Sequence, residues 1–329
     1  MIYIALPPSC QQRQLTFYLA MEEYIARHMD AEECFFMWQV EPTVIFGRNQ
    51  LIAGEVNTNY CRNHNINMFR RKSGGGCVYA DMSNIMFSFV SKTVGVNLTF
   101  GKYIEMVTQM LRKLGVDATA SGRNDIMIDG RKVSGNAFYH VAGKSIVHGT
   151  MLYDTNMQNM VGAITPSDAK LVSKGVKSVR KRIALLKDYT PLSIERFKTF
   201  AKAELCDKEI MLNNEAIEQI EQIEQEYLSP EFIYGNNPRY NKTLHGRIEG
   251  VGEFVVDIEL KNNIIKNINI AGDFFLTGDI GACIIDRLRG AKLTVSEVSR
   301  VLPRRLDDII LNLRKEDFIK MICPTDIGE

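Results

Sequence analysis

Apolar and polar positions along the chain switch between two periods, and the switches mark the elements. Residues 2–6 read as a strand that Pro7-Pro8 stops, and residues 12–29 then carry the helical period, with Leu15, Tyr18, Leu19, Ile25 and Met29 on one face. Residues 34–40, which hold the single tryptophan Trp38, and residues 43–46 are predicted strands, the second running into Gly47-Arg48-Asn49-Gln50. Residues 68–71 and 77–79 are short strands on either side of a glycine run, and residues 85–90 form a strongly apolar one. Ile104, Val107, Leu111 and Leu114 keep a helical period over residues 100–114, and Gly115 supplies the stop. Asp129-Gly130 suits the positive φ angles of a tight hairpin turn, and residues 145–153 follow as another strand. Helices are predicted over residues 193–205 and 214–228, the latter with Ile217, Ile220 and Ile223 on a glutamate-rich background.

Turn formers gather at Ser229-Pro230 and again at residues 234–238, so a second domain is expected from about His245-Gly246, dividing the chain into 1–245 and 246–329. Within it Phe254, Val256 and Ile258 alternate along residues 252–260, Asn262-Asn263 turns, and residues 264–270 return as the partner strand. Helices over residues 278–288, 294–302 and 305–313 complete an α+β unit. At 329 residues the chain exceeds the size at which one core usually stops growing, in keeping with two unequal domains.

Composition narrows the function classes. A net charge of +1 argues against a general nucleic-acid binder, and no apolar run approaches the roughly 20 residues of a membrane span. Residues 1–8 are too short for a signal peptide. The seven cysteines (Cys10, Cys34, Cys61, Cys77, Cys206, Cys283 and Cys323) are scattered and never spaced C-x-x-C, so neither a disulfide framework nor a zinc site is expected, and a reducing cytoplasm fits best. The five histidines show no metal-binding spacing.

The candidate chemistry lies around Arg70-Arg71-Lys72-Ser73-Gly74-Gly75-Gly76-Cys77-Val78-Tyr79-Ala80-Asp81, followed by Ser83-Asn84. Three glycines without β-carbons let backbone N–H groups approach a ligand, and three preceding cations favour an anionic one. The spacing is neither that of a P-loop nor G-x-G-x-x-G. A plain tight turn between residues 68–71 and 77–79 is the competing reading. Lys132 on the second hairpin is suited to neutralise charge developing on a phosphorus or carboxyl centre, and Asn124-Asp125 offer hard oxygens for Mg²⁺. Against these stand an exposed hairpin lysine and a turn carboxylate bonded to its own backbone. The cations of residues 165–182 (Lys170, Lys174, Lys177, Arg180, Lys181 and Arg182) form either a ligand loop or a solvated face. Cys77 is read as buried, with a thiolate acyl carrier as the alternative.

In order along nearly the whole chain, these segments resemble the lipoate-protein ligases. The resemblance runs through Leu19-Ala20-Met21-Glu22-Glu23-Tyr24, Val44-Ile45-Phe46-Gly47-Arg48-Asn49-Gln50, the Arg70 to Asp81 segment, Gly122-Arg123-Asn124-Asp125-Ile126, Gly130-Arg131-Lys132-Val133-Ser134-Gly135-Asn136-Ala137, His148-Gly149-Thr150 and Lys174-Gly175-Val176-x-Ser178-Val179-Arg180. Tyr234-Gly235 with Gly272-Asp273-Phe274-Phe275 resembles the small accessory domain of the two-domain members. The resemblance implies a large mixed-sheet domain of the biotin/lipoate ligase type with a small C-terminal α+β domain, and a two-step reaction through lipoyl-AMP with ATP, Mg²⁺ and lipoate. It implies Lys132 as the catalytic cation and Asn124 and Asp125 at the metal. It implies Arg71, Ser73, Gly74, Gly75, Gly76, Cys77, Val78, Tyr79, Asn84, His148, Gly149, Thr150, Lys174, Gly175, Ser178 and Arg180 as substrate and ATP contacts. Lipoyl domains of 2-oxoacid dehydrogenase acyltransferase subunits and the glycine-cleavage H protein are the implied partners, and a cytoplasmic monomer is expected. Ala80 stands where the family usually has His, and Cys77 where it usually has Ala or Thr. A lipoyl or octanoyl transferase between carrier proteins, and a non-catalytic lipoate-binding protein, are the competing functions.

Overall fold

The computed structural model describes residues 1–50, 52–93, 95–121, 124–164, 181–234 and 242–323, in two units. The first takes in Met1–Phe46, Ile52–Arg71 and Cys77–Ile233; the second takes in Gly47–Leu51, Lys72–Gly76 and the chain from Tyr234.

The strands of the first unit are β1 (Ile2–Ala5), β2 (Glu33–Trp38), β3 (Thr43–Phe46), β4 (Asn67–Arg70), β5 (Val78–Ala80), β6 (Ile85–Ser91), β7 (Ala118–Ser121), β8 (Asp125–Ile128), β9 (Arg131–Val141), β10 (Lys144–Met151) and β11 (Lys208–Met211). Eight of them form a mixed sheet in the order β11-β1-β2-β6-β10-β9-β8-β7, and the other three a small sheet, β4-β3-β5. β1 runs parallel to β2 and β11, whereas β2, β6, β10, β9, β8 and β7 are joined antiparallel. All seven residues of β6 and all eight of β10 are buried, as central strands covered on both faces require.

The cover on one face is α1 (Leu15–His28) beside the helix Asn214–Leu228. On the other lie α4 (Val96–Lys113), after α2 (Ile52–Glu55) and α3 (Thr58–Asn63) in the chain, and the helix Ile194–Leu205. Cap residues fix the helix starts where the sequence offers them: Asn213 accepts from Ala216 N at 2.9 Å and Ser193 from Arg196 N at 3.3 Å. One expectation is corrected at α1. It is not a surface helix with one apolar face, because eleven of its 14 residues are buried, Glu22 and Glu23 among them. Each fully buried Leu, Ile or Phe there is worth about 1.5–3 kcal/mol, and the two carboxylates are admitted by partners described below.

The glycine run is not a hairpin turn either. β4 pairs parallel with β3 and β5 pairs antiparallel with β3, so the strands flanking the run lie on opposite sides of a third. The expected turns do form: Asp129 and Gly130 have φ of 49° and 69°, both in the left-handed region that the mirror-image hairpin turn needs.

The second unit carries its own antiparallel sheet of β12 (Lys242–Ile248), β13 (Gly252–Lys261) and β14 (Ile264–Gly272), with Asn262 and Asn263 at φ 53° and 58° in the turn. Phe254, Val256 and Ile258 face a core shared with Ile284, Leu288, Val298 and Phe318. Residues 305–313 are turns rather than the expected helix. Leu306, Ile309, Ile310 and Leu313 keep a helical spacing but enter the core from turns, with Ile310 bridging Leu276 and Asn312 at φ 64°. The last described helix is Lys315–Ile322.

Candidate active site

The β8–β9 hairpin places Lys132. A register shift in β8 between Ile126 and Met127 sets Met127 opposite Lys132 while Asp125 faces Gly135. The ammonium of Lys132 stands 2.8 Å from Asp125 Oδ1, the two side chains being 38% and 31% exposed. Gly135 makes this path possible, since a Cβ there would lie 2.6 Å from Lys132 Nζ. The backbone is held too: Lys132 N donates to Arg182 O and its carbonyl accepts from Ala184 N, both at 2.8 Å. A cation anchored along its stem with its head open to solvent is poised for an anionic ligand. Asn124 Nδ2 donates to Asn136 O at 2.8 Å, leaving the carboxamide oxygen to serve as a hard ligand next to the Asp125 carboxylate. Among the described residues no three His, Cys, Asp or Glu side chains gather around a metal position. The Asn124-Asp125 pair suits Mg²⁺, which takes one or two protein oxygens and completes its shell with phosphate and water.

Arg71 follows β4 and is 4% exposed. Its backbone N donates to Phe46 O at 3.0 Å and its Nη1 to Ile45 O at 2.9 Å. Burial pushes the guanidinium down to about 10, the mark of a cation withdrawn from water that an entering anion would favour. Arg70 is pushed down to about 10 in the same way and lies over the Phe46 ring at 4.8 Å. Cys77 is half-buried, its thiol driven far up by burial and secondarily by Glu55, so it stays protonated near neutral pH. Val78 and Tyr79 belong to β5, and burial raises the Tyr79 hydroxyl to about 12. Asp81 is an organiser: Oδ1 accepts from Ser83 N at 3.0 Å and from Ser83 Oγ at 2.7 Å, and Oδ2 from Asn156 N at 3.1 Å. Asn156 in turn caps α5 (Met157–Ala163). Asn84 is buried, with Nδ2 donating to Thr155 Oγ1 at 3.2 Å. Ala80 is fully buried in the main core.

His148, Gly149 and Thr150 occupy successive positions of β10, opposite Ala137, Asn136 and Gly135 of β9. The His148 ring is set against α1, its Nδ1 donating to Glu22 at 2.9 Å. Ser88 Oγ donates to Glu22 at 2.5 Å, Tyr139 OH donates at 3.1 Å, and Trp38 Nε1 donates to Ser88 Oγ at 2.9 Å. Tyr227 OH and Arg27 donate to Glu23. Two charged residues inside an otherwise apolar helical stretch were the signal for this network; nothing in the sequence named its partners.

The glycine run lies in the second unit. Arg48 N donates to Ser73 O at 2.9 Å, Gly75 N to Phe274 O at 3.2 Å, and Gly272 N to Asn49 O at 2.9 Å. Gly75 has φ 87°, and a Cβ on Gly74 would lie 3.3 Å from Phe275 Cα while striking the Phe274 carbonyl. Gly74 is thus required by close approach of the Phe274-Phe275 backbone, and Gly75 by its positive φ. Lys174, Gly175, Ser178 and Arg180 lie outside the described residues.

Residues 14–206 match the family described as Lipoyl protein ligase A/B catalytic domain, and residues 237–322 match Bacterial lipoate protein ligase C-terminus. The chain is 36% identical over 317 residues to lipoate-protein ligase LplJ of Bacillus subtilis, covering 92% of this chain and 95% of that one. Two solved structures share the fold. P. falciparum LipL1 in complex with lipoate has a TM-score of 0.76 and 18% identity over 98% of both chains. A lipoate-protein ligase A bound with ATP has a TM-score of 0.60 and 23% identity, over 71% of this chain and 98% of that one. With two family models in sequence order and identity above 30% along almost its whole length, the chain belongs to the lipoate-protein ligase family.

Proposed function

We propose that this protein is an ATP-dependent lipoate-protein ligase whose chemistry centres on Lys132. The observation that carries the reading is the Lys132–Asp125 pair laid over Gly135, in a chain of this family. In the first step a lipoate carboxylate oxygen attacks the α-phosphorus of ATP; the bond to the β-phosphate oxygen breaks, and lipoyl-AMP and pyrophosphate form. In the second step the ε-amine of a lysine on a lipoyl domain attacks the acyl carbon, the acyl–phosphate bond breaks, AMP leaves, and the amine proton passes to solvent. Lys132 serves both steps by holding the acyl carbonyl oxygen and an α-phosphate oxygen at one cation, where negative charge develops in each.

Arg71, at the buried end of β4, supplies a second cation, and Cys77, Val78 and Tyr79 line the approach with the neutral thiol and the strand backbone. Ser73, Gly74, Gly75 and Gly76 are assigned to the ligand from their sequence alone. Asn84, Gly149 and Thr150 serve as polar contacts, and His148 as a wall fixed by Glu22. Lys174, Gly175, Ser178 and Arg180 are assigned from the sequence to contacts with the adenylate. Asn124 and Asp125 would hold Mg²⁺, which supplies charge neutralisation to the phosphates. The catalytic part is assigned to the first unit and the accessory part to the unit that holds β12, β13 and β14, the expected boundary at 245/246 falling within β12. The acceptors are lipoyl domains of 2-oxoacid dehydrogenase acyltransferase subunits or the glycine-cleavage H protein. The protein acts as a cytoplasmic monomer; among the described residues no helix is long and apolar enough to cross a membrane.

The alternative, acyl transfer through a thiolate, is disfavoured at Cys77, because burial keeps that thiol protonated. Cys77→Ser is expected to retain ATP-dependent ligation of an apo lipoyl domain; ATP-independent transfer that disappears in this variant would favour the alternative. The ligase reading is tested by pyrophosphate release from ATP. Release should require lipoate and fall by roughly 100- to 1,000-fold in Lys132→Ala, the usual effect of losing a key electrostatic donor. Absence of lipoate-dependent release from the wild type would refute it.

A further inference from the structure

Asn136 sits directly behind the Lys132 site. Strand alternation puts it on the face of β9 opposite Gly135, over which the stem of Lys132 lies. Register sets it against Gly149 of β10, where a Cβ would stand 2.6 Å from Asn136 Cγ, so the carboxamide fills a volume that Gly149 leaves open. The side chain is 3% exposed. Its Nδ2 donates to the carbonyl of Asn124 at 3.0 Å, and its backbone N donates to the same oxygen at 3.1 Å. Asn124 Nδ2 returns a bond to Asn136 O at 2.8 Å, and Ser134 Oγ lies 3.3 Å from Asn136 Oδ1. The residue tied down in this way immediately precedes Asp125, whose Oδ1 holds the Lys132 ammonium at 2.8 Å.

We propose that Asn136 is a positioning residue for the ligase reaction: seated over Gly149, it locks the backbone of Asn124 and thereby sets Asp125 and the Lys132 ammonium. The inference rests on the assignment of Lys132 and deepens it. An ammonium that must meet an acyl carbonyl and an α-phosphate in turn has little positional tolerance, since an error of about 1 Å can cost on the order of 100-fold in rate. A carboxamide serves here where an apolar side chain of equal size would not, because Nδ2 adds a second donor to the carbonyl that the backbone N of Asn136 already meets, holding Asn124 from two atoms.

Two variants separate positioning from filling. Asn136→Asp keeps the shape but turns an acceptor oxygen toward the Asn124 carbonyl. Asn136→Leu keeps about the same volume without the donor. In lipoate-dependent pyrophosphate release each should lower kcat by about 10- to 100-fold, with the KM for lipoate changed far less. The loss from Asn136→Asp should shrink to near nothing in an Asp125→Asn background, because both act through the same contact. Either variant folded with wild-type kcat, or losses that multiply with Asp125→Asn, would overturn the inference; should Asn136→Asp fail to fold, Asn136→Leu decides. Lys132→Ala run alongside keeps the levels apart. Full activity in that variant defeats the assignment of Lys132, whereas its inactivity beside a fully active Asn136→Asp defeats only the role of Asn136.

Discussion

Two acid–base pairs meet at nearly the same separation, one between strands β8 and β9 and the other between β10 and α1, and they do different work. Lys132 and Asp125 meet at 2.8 Å with side chains 38% and 31% exposed, whereas His148 and Glu22 meet at 2.9 Å with 5% and 0%. Distance does not separate them; solvent and company do. Glu22 gathers Ser88, Tyr139 and His148 around one carboxylate, and the network ties α1 to β6, β9 and β10. Asp125 touches one ammonium in reach of water. A half-exposed pair is worth about 0–1 kcal/mol to the fold, so breaking it to admit a substrate costs little. A buried network stripped of its central charge leaves several donors unpaired.

The largest effect should therefore come from Glu22→Ala. Removing the hub is expected to cost about 3–5 kcal/mol of stability, read as a lowered thermal or urea midpoint of the first unit, and a loss below about 1 kcal/mol would contradict the network's role. Gly135→Ala attacks the other pair without touching its charges. A Cβ there forces the Lys132 stem aside, so activity should fall by about 10- to 100-fold while the unfolding midpoint moves much less than for Glu22→Ala. A variant equally impaired in both readouts would erase the contrast.

Glu224 gives the smallest effect and a pH test. Burial raises its carboxyl above the ordinary value, partly offset by the Thr16 hydroxyl bonded at 2.5 Å and by Arg13. The folded state therefore binds this proton more tightly than the unfolded one, so the penalty is absent below the unfolded pKa and fully present above the raised one. Glu224→Gln should be slightly more stable than wild type at pH 7 and indistinguishable at pH 4. Gain at pH 4 alone would reverse the sign.

The same contrast explains what the sequence disclosed. Asp129-Gly130 and Asn262-Asn263 announced their turns because few residue pairs accept two positive φ angles in succession. Lys132 and Asn124-Asp125 were visible because charged residues clustered on a predicted hairpin. Glu22 was named only within the Leu19 to Tyr24 segment, since its partners lie 66 to 126 residues away in sequence. Asn136 was named only within the Gly130 to Ala137 segment, because its role depends on the register that sets Gly149 behind it. β11 escaped notice because it is a four-residue, fully exposed edge strand, and residues 305–313 misled because turns entering a core reproduced a helical spacing. The glycine run suggested a turn, yet its flanking strands each pair with β3 instead, a non-local choice that a local pattern does not encode.

The most direct test is the intact mass of a purified apo lipoyl domain after incubation with this protein, Mg²⁺ and lipoate, with and without ATP, wild type beside Lys132→Ala. A gain of one lipoyl group that needs both ATP and Lys132 is the predicted result. A gain without ATP, or undiminished in Lys132→Ala, would contradict a ligase built around that lysine.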